Sequence, residues 1–167
     1  MKLTQVEDFE NRPYLSRADA CYYLREFTAQ KGFAFSETNQ LISNLKKSPA
    51  RRSNSWEWRH KEHAIRQCVD EFVEAFRLED PKSQAWLDEA TLAQIPPSKA
   101  VDDPLYDDRI ERILQGIAAS FGRPLDIRRM VTQRTSIAAA HETDQRPKPE
   151  DLKALYDPRV TGKTGQR

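Results

Sequence analysis

The chemistry in this sequence concentrates first at Ser98 and Lys99, which follow Ile95-Pro96-Pro97. The two prolines stiffen the chain and remove two backbone donors. Beyond them come consecutive backbone N–H groups, a hydroxyl and an ammonium, a set suited to holding a pyrophosphate. The preceding run Thr91-Leu92-Ala93-Gln94-Ile95 is short and partly β-branched, and reads as a strand entering a loop. Ser98 and Lys99 therefore fall beyond the carboxyl end of a strand, where open α/β sheets bind ligands. Arg109, Arg134, Thr135 and His141 offer further anion contacts downstream. No residue is assigned as catalytic or as a metal ligand.

A second set is basic and aromatic. Lys46, Lys47, Arg51, Arg52, Arg59 and Lys61 surround Trp56, Trp58 and His60, with Glu57 the single acid between positions 44 and 61. Cations neutralise phosphates and aromatic faces stack on bases, so the segment is an alternative nucleic-acid surface. The competing reading is a solvated loop between helices whose tryptophans pack back on them, and the near-neutral remainder of the chain favours it. His60 and His63 are three residues apart, but without a third ligand they read as a surface pair. Asp157 to Thr164 resembles a phosphate-binding P-loop that lacks its first glycine. It has neither a strand before it nor a helix after it, which that motif requires.

The elements that must position these residues differ between the two halves. Ser16 and Asp19 read as the start of a helix running through Tyr22, Tyr23 and Phe27 to about Gln30, with Gly32 as its stop. A second helix starts at Ser36, carries Leu41, Ile42 and Leu45, and ends at Ser48-Pro49. Ile65, Cys68, Val69, Phe72, Val73 and Phe76 follow a three-four spacing and give a third helix with one apolar stripe. Cys68 lies in that stripe and reads as a buried, inert thiol. In the second half, Asp103 and Pro104 suit a helix start, Ile110, Ile113, Leu114 and Ile117 carry its apolar face, and Gly122 ends it. Leu125 to Val131 reads as a further strand, so strand, loop, helix and strand make a parallel βαβ unit. Arg134 to Pro149 reads as an exposed loop, and Asp151 to Tyr156 as one or two helical turns.

Composition bounds the rest. The chain has 167 residues, with 27 basic against 26 acidic residues, so no global field draws it to DNA or to an anionic membrane. Mean hydropathy is −0.82, which implies a thin core. Two cysteines exclude a disulfide framework and a four-cysteine zinc site. The opening MKLTQVEDFE has no apolar run, and nothing approaches the roughly 20 apolar residues of a membrane span. The expectation is a cytoplasmic protein that does not engage membranes. The organisation expected is a helical subdomain over 1–80, an α/β region over 81–157 and a disordered tail over 158–167.

The stretch from Thr91 to Tyr156 resembles the front part of a ComF-like type I phosphoribosyltransferase. LAQIPPSK (Leu92 to Lys99) resembles the family's first core strand and pyrophosphate loop. DPLYDDRIERIL (Asp103 to Leu114) resembles the helix start that follows, with Tyr106-Asp107-Asp108-Arg109 where the family has an Arg-Gly-Phe-Asn run. TQRTSIAAAHETDQRPKPEDLKALY (Thr132 to Tyr156) resembles the loop and short helix that close over substrate. The resemblance implies a partial, mostly parallel sheet behind a helical N-terminal extension. It also implies a pyrophosphate or phosphoribosyl diphosphate ligand on Ser98 and Lys99, assisted by Arg109, Arg134 and Thr135, with His141 on the closing loop. In the family, pyrophosphate is displaced from the ribose anomeric carbon with Mg²⁺ assisting. The family's later acidic pair and Thr/Gly loop have no counterpart before the sequence ends at DPRVTGKTGQR. The expectation is therefore a truncated or diverged, inactive relative, whose uncovered sheet edge invites self-association and leaves the helical half the more stable.

Overall fold

In the computed structural model, residues 2–8, 15–16, 18–78, 83–137 and 149–158 are described. The fold is mixed helix and strand. In chain order, β1 is Thr4–Gln5, β2 Tyr22–Tyr23, α1 Glu37–Leu45, α2 Ser55–Leu78, α3 Ser83–Glu89 and β3 Thr91–Ala93. They are followed by α4 Arg109–Phe121, β4 Asp126–Arg128, β5 Val131–Gln133, α5 Pro149–Leu155 and β6 Tyr156–Pro158. Among the described residues no helix is long and apolar enough to cross a membrane.

The core lies where α1, α2 and α4 meet. Leu41 and Leu45 from α1, Ile65, Val69 and Val73 from α2, and Ile113 and Ile117 from α4 form one buried cluster. The three-four spacing of α2 thus does what it predicts, and Cys68 is buried within the stripe. Burial pushes its thiol up to about 11, which keeps it protonated. Because α4 belongs to the second half of the chain, this core joins the two regions that composition separates at residue 80. Ser36 caps α1 as expected, its hydroxyl accepting from the Asn39 N–H at 3.1 Å. Gly122 ends α4 in the left-handed region at φ 64°, a conformation glycine adopts without a Cβ penalty.

The first expected helix is not formed. Ser16 and Asp19 do interact, but the Asp19 carboxylate accepts from the Ser16 N–H at 2.7 Å within an isolated turn. Tyr22 and Tyr23 form a strand antiparallel to β1, with Thr4 opposite Tyr23 and Gln5 opposite Tyr22. The reason lies in Asn39, which is fully buried. Its Oδ1 accepts from the Thr28 N–H, and its Nδ2 donates to the Thr28 and Lys31 carbonyls. Arg25 adds a fork of two hydrogen bonds to Glu71 of α2, at 2.8 and 2.7 Å. Residues 25–28 are thus held out of a helix by these partners, the chain turns at Ala29 and Gln30, and Gly32 has no helix to stop.

The second half keeps the expected order with shifted boundaries. β3 and β4 pair in parallel, with Thr91 opposite Asp126 and Ala93 opposite Arg128, and α4 is the crossover. β3 ends at Ala93, so Ile95 lies beyond it and is 83% exposed. Asp103 does not cap α4. It caps a turn instead, accepting from the Leu105 N–H at 2.7 Å, and α4 begins at Arg109. The strand expected over Leu125–Val131 divides at Arg129 and Met130 into β4 and β5. β5 pairs antiparallel with β6, which ends at Pro158 inside the expected tail. The mostly parallel sheet is therefore corrected: among the described residues there are three two-stranded pairings, and β3–β4 is the parallel one.

α2 and α4 approach most closely at Gly116, where a Cβ would stand 2.6 Å from Val69 Cγ2. Alanine there gains up to about 1 kcal/mol of helix propensity. The clash with a stiff, buried, β-branched neighbour costs about 1–3 kcal/mol and outweighs it. Gly116→Ala is expected to lower the urea midpoint. In a Val69→Ala background the same change is expected to raise it, because only propensity then remains. A raised midpoint in both backgrounds would show that the helices part without cost.

Candidate functional site

Two surfaces carry the chemistry. The first lies at the carboxyl end of β3. The chain leaves β3 through Gln94, which is buried and whose Nε2 donates to the Tyr106 hydroxyl at 3.4 Å. It then runs through the stiff Pro96-Pro97 to a bend at Ser98 and Lys99, both half-buried. Residues 134–137, which follow β5, dock on this bend. The Ile137 N–H donates to the Ser98 carbonyl at 2.9 Å. The Ser136 hydroxyl accepts from the Ala100 N–H at 3.0 Å and donates to Asp103 Oδ2 at 2.5 Å. The Ser136 hydroxyl chiefly, then the Leu105 N–H and the Lys99 charge, hold the Asp103 carboxyl below its ordinary value.

This docking joins the loop of Ser98 and Lys99 to the segment that carries Arg134 and Thr135, here called the platform, although some 35 residues of chain separate the two pairs. Arg134 is tied from both sides. Its N–H donates to the Leu155 carbonyl at 2.8 Å, and its guanidinium lies 3.5 Å from Asp157 of β6 while staying mostly exposed. Thr135 is exposed, with its carbonyl accepting from Gln133 Nε2 at 2.9 Å. Arg109 does not join them. Its guanidinium is turned to Asp107 at 3.1 Å and to the Leu45 carbonyl at 3.4 Å. His141 lies outside the described residues. Ser136 and Asp103 are not among the ligand contacts expected from the sequence. The hydroxyl run Thr132 to Ser136 is the signal that would have pointed to Ser136.

Beside the platform a cavity of about 370 Å³ opens between α4 and the loop before it, reaching Tyr106, Glu111, Arg112 and Arg129. Its cations are already neutralised: Arg129 pairs with Glu111 at 2.5 Å, and Arg112 pairs with Glu62 of α2. The cavity is polar, and its arginines are already paired.

A magnesium ion tests poorly against these groups. Among the described residues no three His, Cys, Asp or Glu side chains cluster to hold a metal. Asp103, the acid on the platform, uses both carboxylate oxygens, one on Leu105 and one on Ser136. Among the described residues the platform offers no ready set of protein ligands for the ion.

The second surface is the basic, aromatic segment: Lys46, Lys47, Arg51 and Arg52 lie on the connection between α1 and α2, as expected, and the rest is helical. Trp56, Trp58, Arg59 and His60 lie on the first turns of α2. Trp56 is 64% exposed and does not pack back onto the core. Arg59 sits over its ring at 4.8 Å, and His60 meets it edge-on at 5.7 Å. Arg52 lies over Trp58 at 5.0 Å, and Arg51 pairs with Glu57 at 2.7 Å. Lys61 is corrected out of this surface. Its side chain is fully buried, and its ammonium donates to the Leu45 carbonyl, the Lys47 carbonyl and Asp107 Oδ2, each at 2.8 Å. Burial lowers its pKa, with Asp107 opposing that shift. All three protons of this ammonium are used, so it has none for a phosphate.

Comparisons with protein-family models, with curated proteins and with solved structures find no match to this chain.

Removing one partner of a buried, hydrogen-bonded charge pair leaves the other uncompensated. Lys61→Met is expected to cost about 3–5 kcal/mol, read as a fall in the denaturation midpoint. Adding Asp107→Asn should return little of that loss, because Arg109 still faces the Asp107 carboxylate at 3.1 Å while the Leu45 and Lys47 carbonyls have lost the ammonium. An unchanged midpoint in Lys61→Met would show that the ammonium holds nothing together.

Proposed function

We propose that this chain binds a pyrophosphate-bearing small molecule of the phosphoribosyl diphosphate type at the platform beyond β3. The reading is one of binding, with no turnover assigned. One observation carries it: Ser98 and Lys99 of one loop and Arg134 and Thr135 of another are joined by the Ile137–Ser98 and Ala100–Ser136–Asp103 hydrogen bonds. On this reading the two hydroxyls and two cations carried by these loops would meet a ligand beyond the carboxyl end of a parallel strand, the position that ligands take in open α/β sheets. The resemblance of Thr91 to Tyr156 to the front of a ComF-like phosphoribosyltransferase points to the same residues, apart from Arg109 and from His141, which lies outside the described residues. The Arg109 guanidinium serves the α4 start instead.

The chemistry of the platform sets the ligand class. A doubly charged phosphate offers acceptors to hydroxyl, guanidinium and ammonium donors, and each charge-assisted bond is worth about 1.5–3 kcal/mol. Arg134 must then divide its guanidinium between Asp157 and the ligand, which keeps affinity modest. Ser136 acts by holding the two loops together.

Isothermal titration with pyrophosphate and with phosphoribosyl diphosphate checks this, in buffers with and without Mg²⁺. Lys99→Ala and Arg134→Ala are each expected to weaken binding about tenfold. Ser136→Ala is expected to weaken it through loss of docking, and Trp56→Ala to leave it unchanged. No heat of binding at millimolar ligand, or binding indifferent to both cation removals, would overturn the reading.

A further inference from the structure

We infer that the first turns of α2, with the end of α1, form a binding surface for single-stranded nucleic acid centred on Trp56. It is separate from the phosphate platform and does not rest on it.

The surface is assembled in three dimensions. The buried Lys61 ammonium holds the Leu45 and Lys47 carbonyls against α2. This fixes the chain at Lys46 and Lys47 against the helix that carries Arg59, with Arg51 and Arg52 on the connection between. These five basic side chains face Glu57 within the segment and Asp108 from the α4 start, 3.9 Å from Arg52. Glu57 is neutralised by Arg51. Basic charge therefore exceeds acidic charge locally, in a chain that is close to neutral as a whole.

Aromatic faces alternate with those cations. Arg59 lies over Trp56 and Arg52 over Trp58, and Lys46 stands 5.5 Å from the Phe27 ring. Trp56 and Phe27 are 64% and 46% exposed. An indole left in water on a helix whose apolar stripe is already buried has no role in the core. Layered cations and rings are what an unpaired nucleotide chain requires: phosphates neutralised in sequence and bases stacked between. A duplex keeps its bases stacked on each other and has none to give to Trp56. A membrane surface needs a broad apolar face, whereas the apolar face of α2 is in the core.

The experiment is fluorescence anisotropy of the full chain with a labelled twelve-nucleotide oligo-dT or oligo-U, over a salt series. The expected result is binding that falls with salt. Trp56→Ala should weaken it about tenfold. Arg51→Ala with Arg52→Ala should flatten the log–log salt slope by about 1.4. Lys99→Ala should leave it unchanged, which separates this surface from the platform. Trp56 is exposed, so its loss spares the fold, and circular dichroism of each variant verifies this. Equal affinity for a duplex of the same length would overturn the inference. So would binding insensitive to Trp56→Ala, or binding to phosphatidylserine vesicles with none to the oligonucleotide.

Discussion

The structure depends on one buried ammonium. Lys61 is charged and fully enclosed, a state that costs several kcal/mol unless each proton finds an acceptor. It finds three, two of them carbonyls at the end of α1 and the third the Asp107 carboxylate before α4. The end of a helix is where carbonyls lack partners and where positive charge is favoured. Lys61 therefore terminates α1 and sets its angle on α2, while Asp107 fixes where the chain turns into α4. Apolar contacts among Leu45, Ile65, Val69 and Ile113 would hold these helices together in many registers. Three directional bonds at 2.8 Å select one.

What the sequence made legible follows from the range of each interaction. The α2 stripe, the Ser36 cap, the Gly122 stop and the parallel β3–α4–β4 order are local or periodic signals, and all appear in the structure. The failures are tertiary. Tyr22 to Gln30 has helical spacing, but Asn39 holds Thr28 from eleven residues away and Glu71 holds Arg25 from forty-six, which no window along the chain reveals. The same holds for the cations. Lys61 looks like one more member of a basic run until the Leu45 and Lys47 carbonyls converge on it. Arg109 looks like an anion contact until Asp107 claims it. Of the candidate site, the Ser98–Lys99 turn could be placed from its prolines. The docking of Arg134 and Thr135 on it runs through Ser136, which the sequence shows as one hydroxyl in a run without showing that its partners are Ala100 and Asp103.

The parallel pair is small and guarded. β3 and β4 have three residues each, and their burial is partial, whereas a parallel sheet is ordinarily covered on both faces. Thr91 donates its hydroxyl to Asp126, and Asp126 pairs with Arg128 at 2.7 Å, so polar groups line the pair. Short strands bearing charges are the usual means of discouraging edge-to-edge pairing. An apolar remainder is nevertheless left at Ile95 and Val101, both exposed near the platform. Self-association at this edge remains a proposal. It would have to cover Ile95 without displacing the Asp126–Arg128 pair.

The segment from Asp103 to Arg109 shows why the two candidate surfaces belong to one construction. Its sequence, rich in acids and opened by a proline, suits a helix start, yet successive side chains serve different neighbours. Asp103 receives Ser136 at the platform, Tyr106 receives Gln94 at the end of β3, Asp107 receives Lys61 in the interior, and Asp108 faces Arg52 on the basic surface. A helix over the same residues would turn each successive side chain by about 100° and place these acids on faces set by the helical period. An irregular segment can address the four partners independently. Its lack of regular structure is thus the geometric condition for joining α1, α2, the strand end and the loop after β5. A change in any of the four contacts must be borne by the same seven residues of backbone.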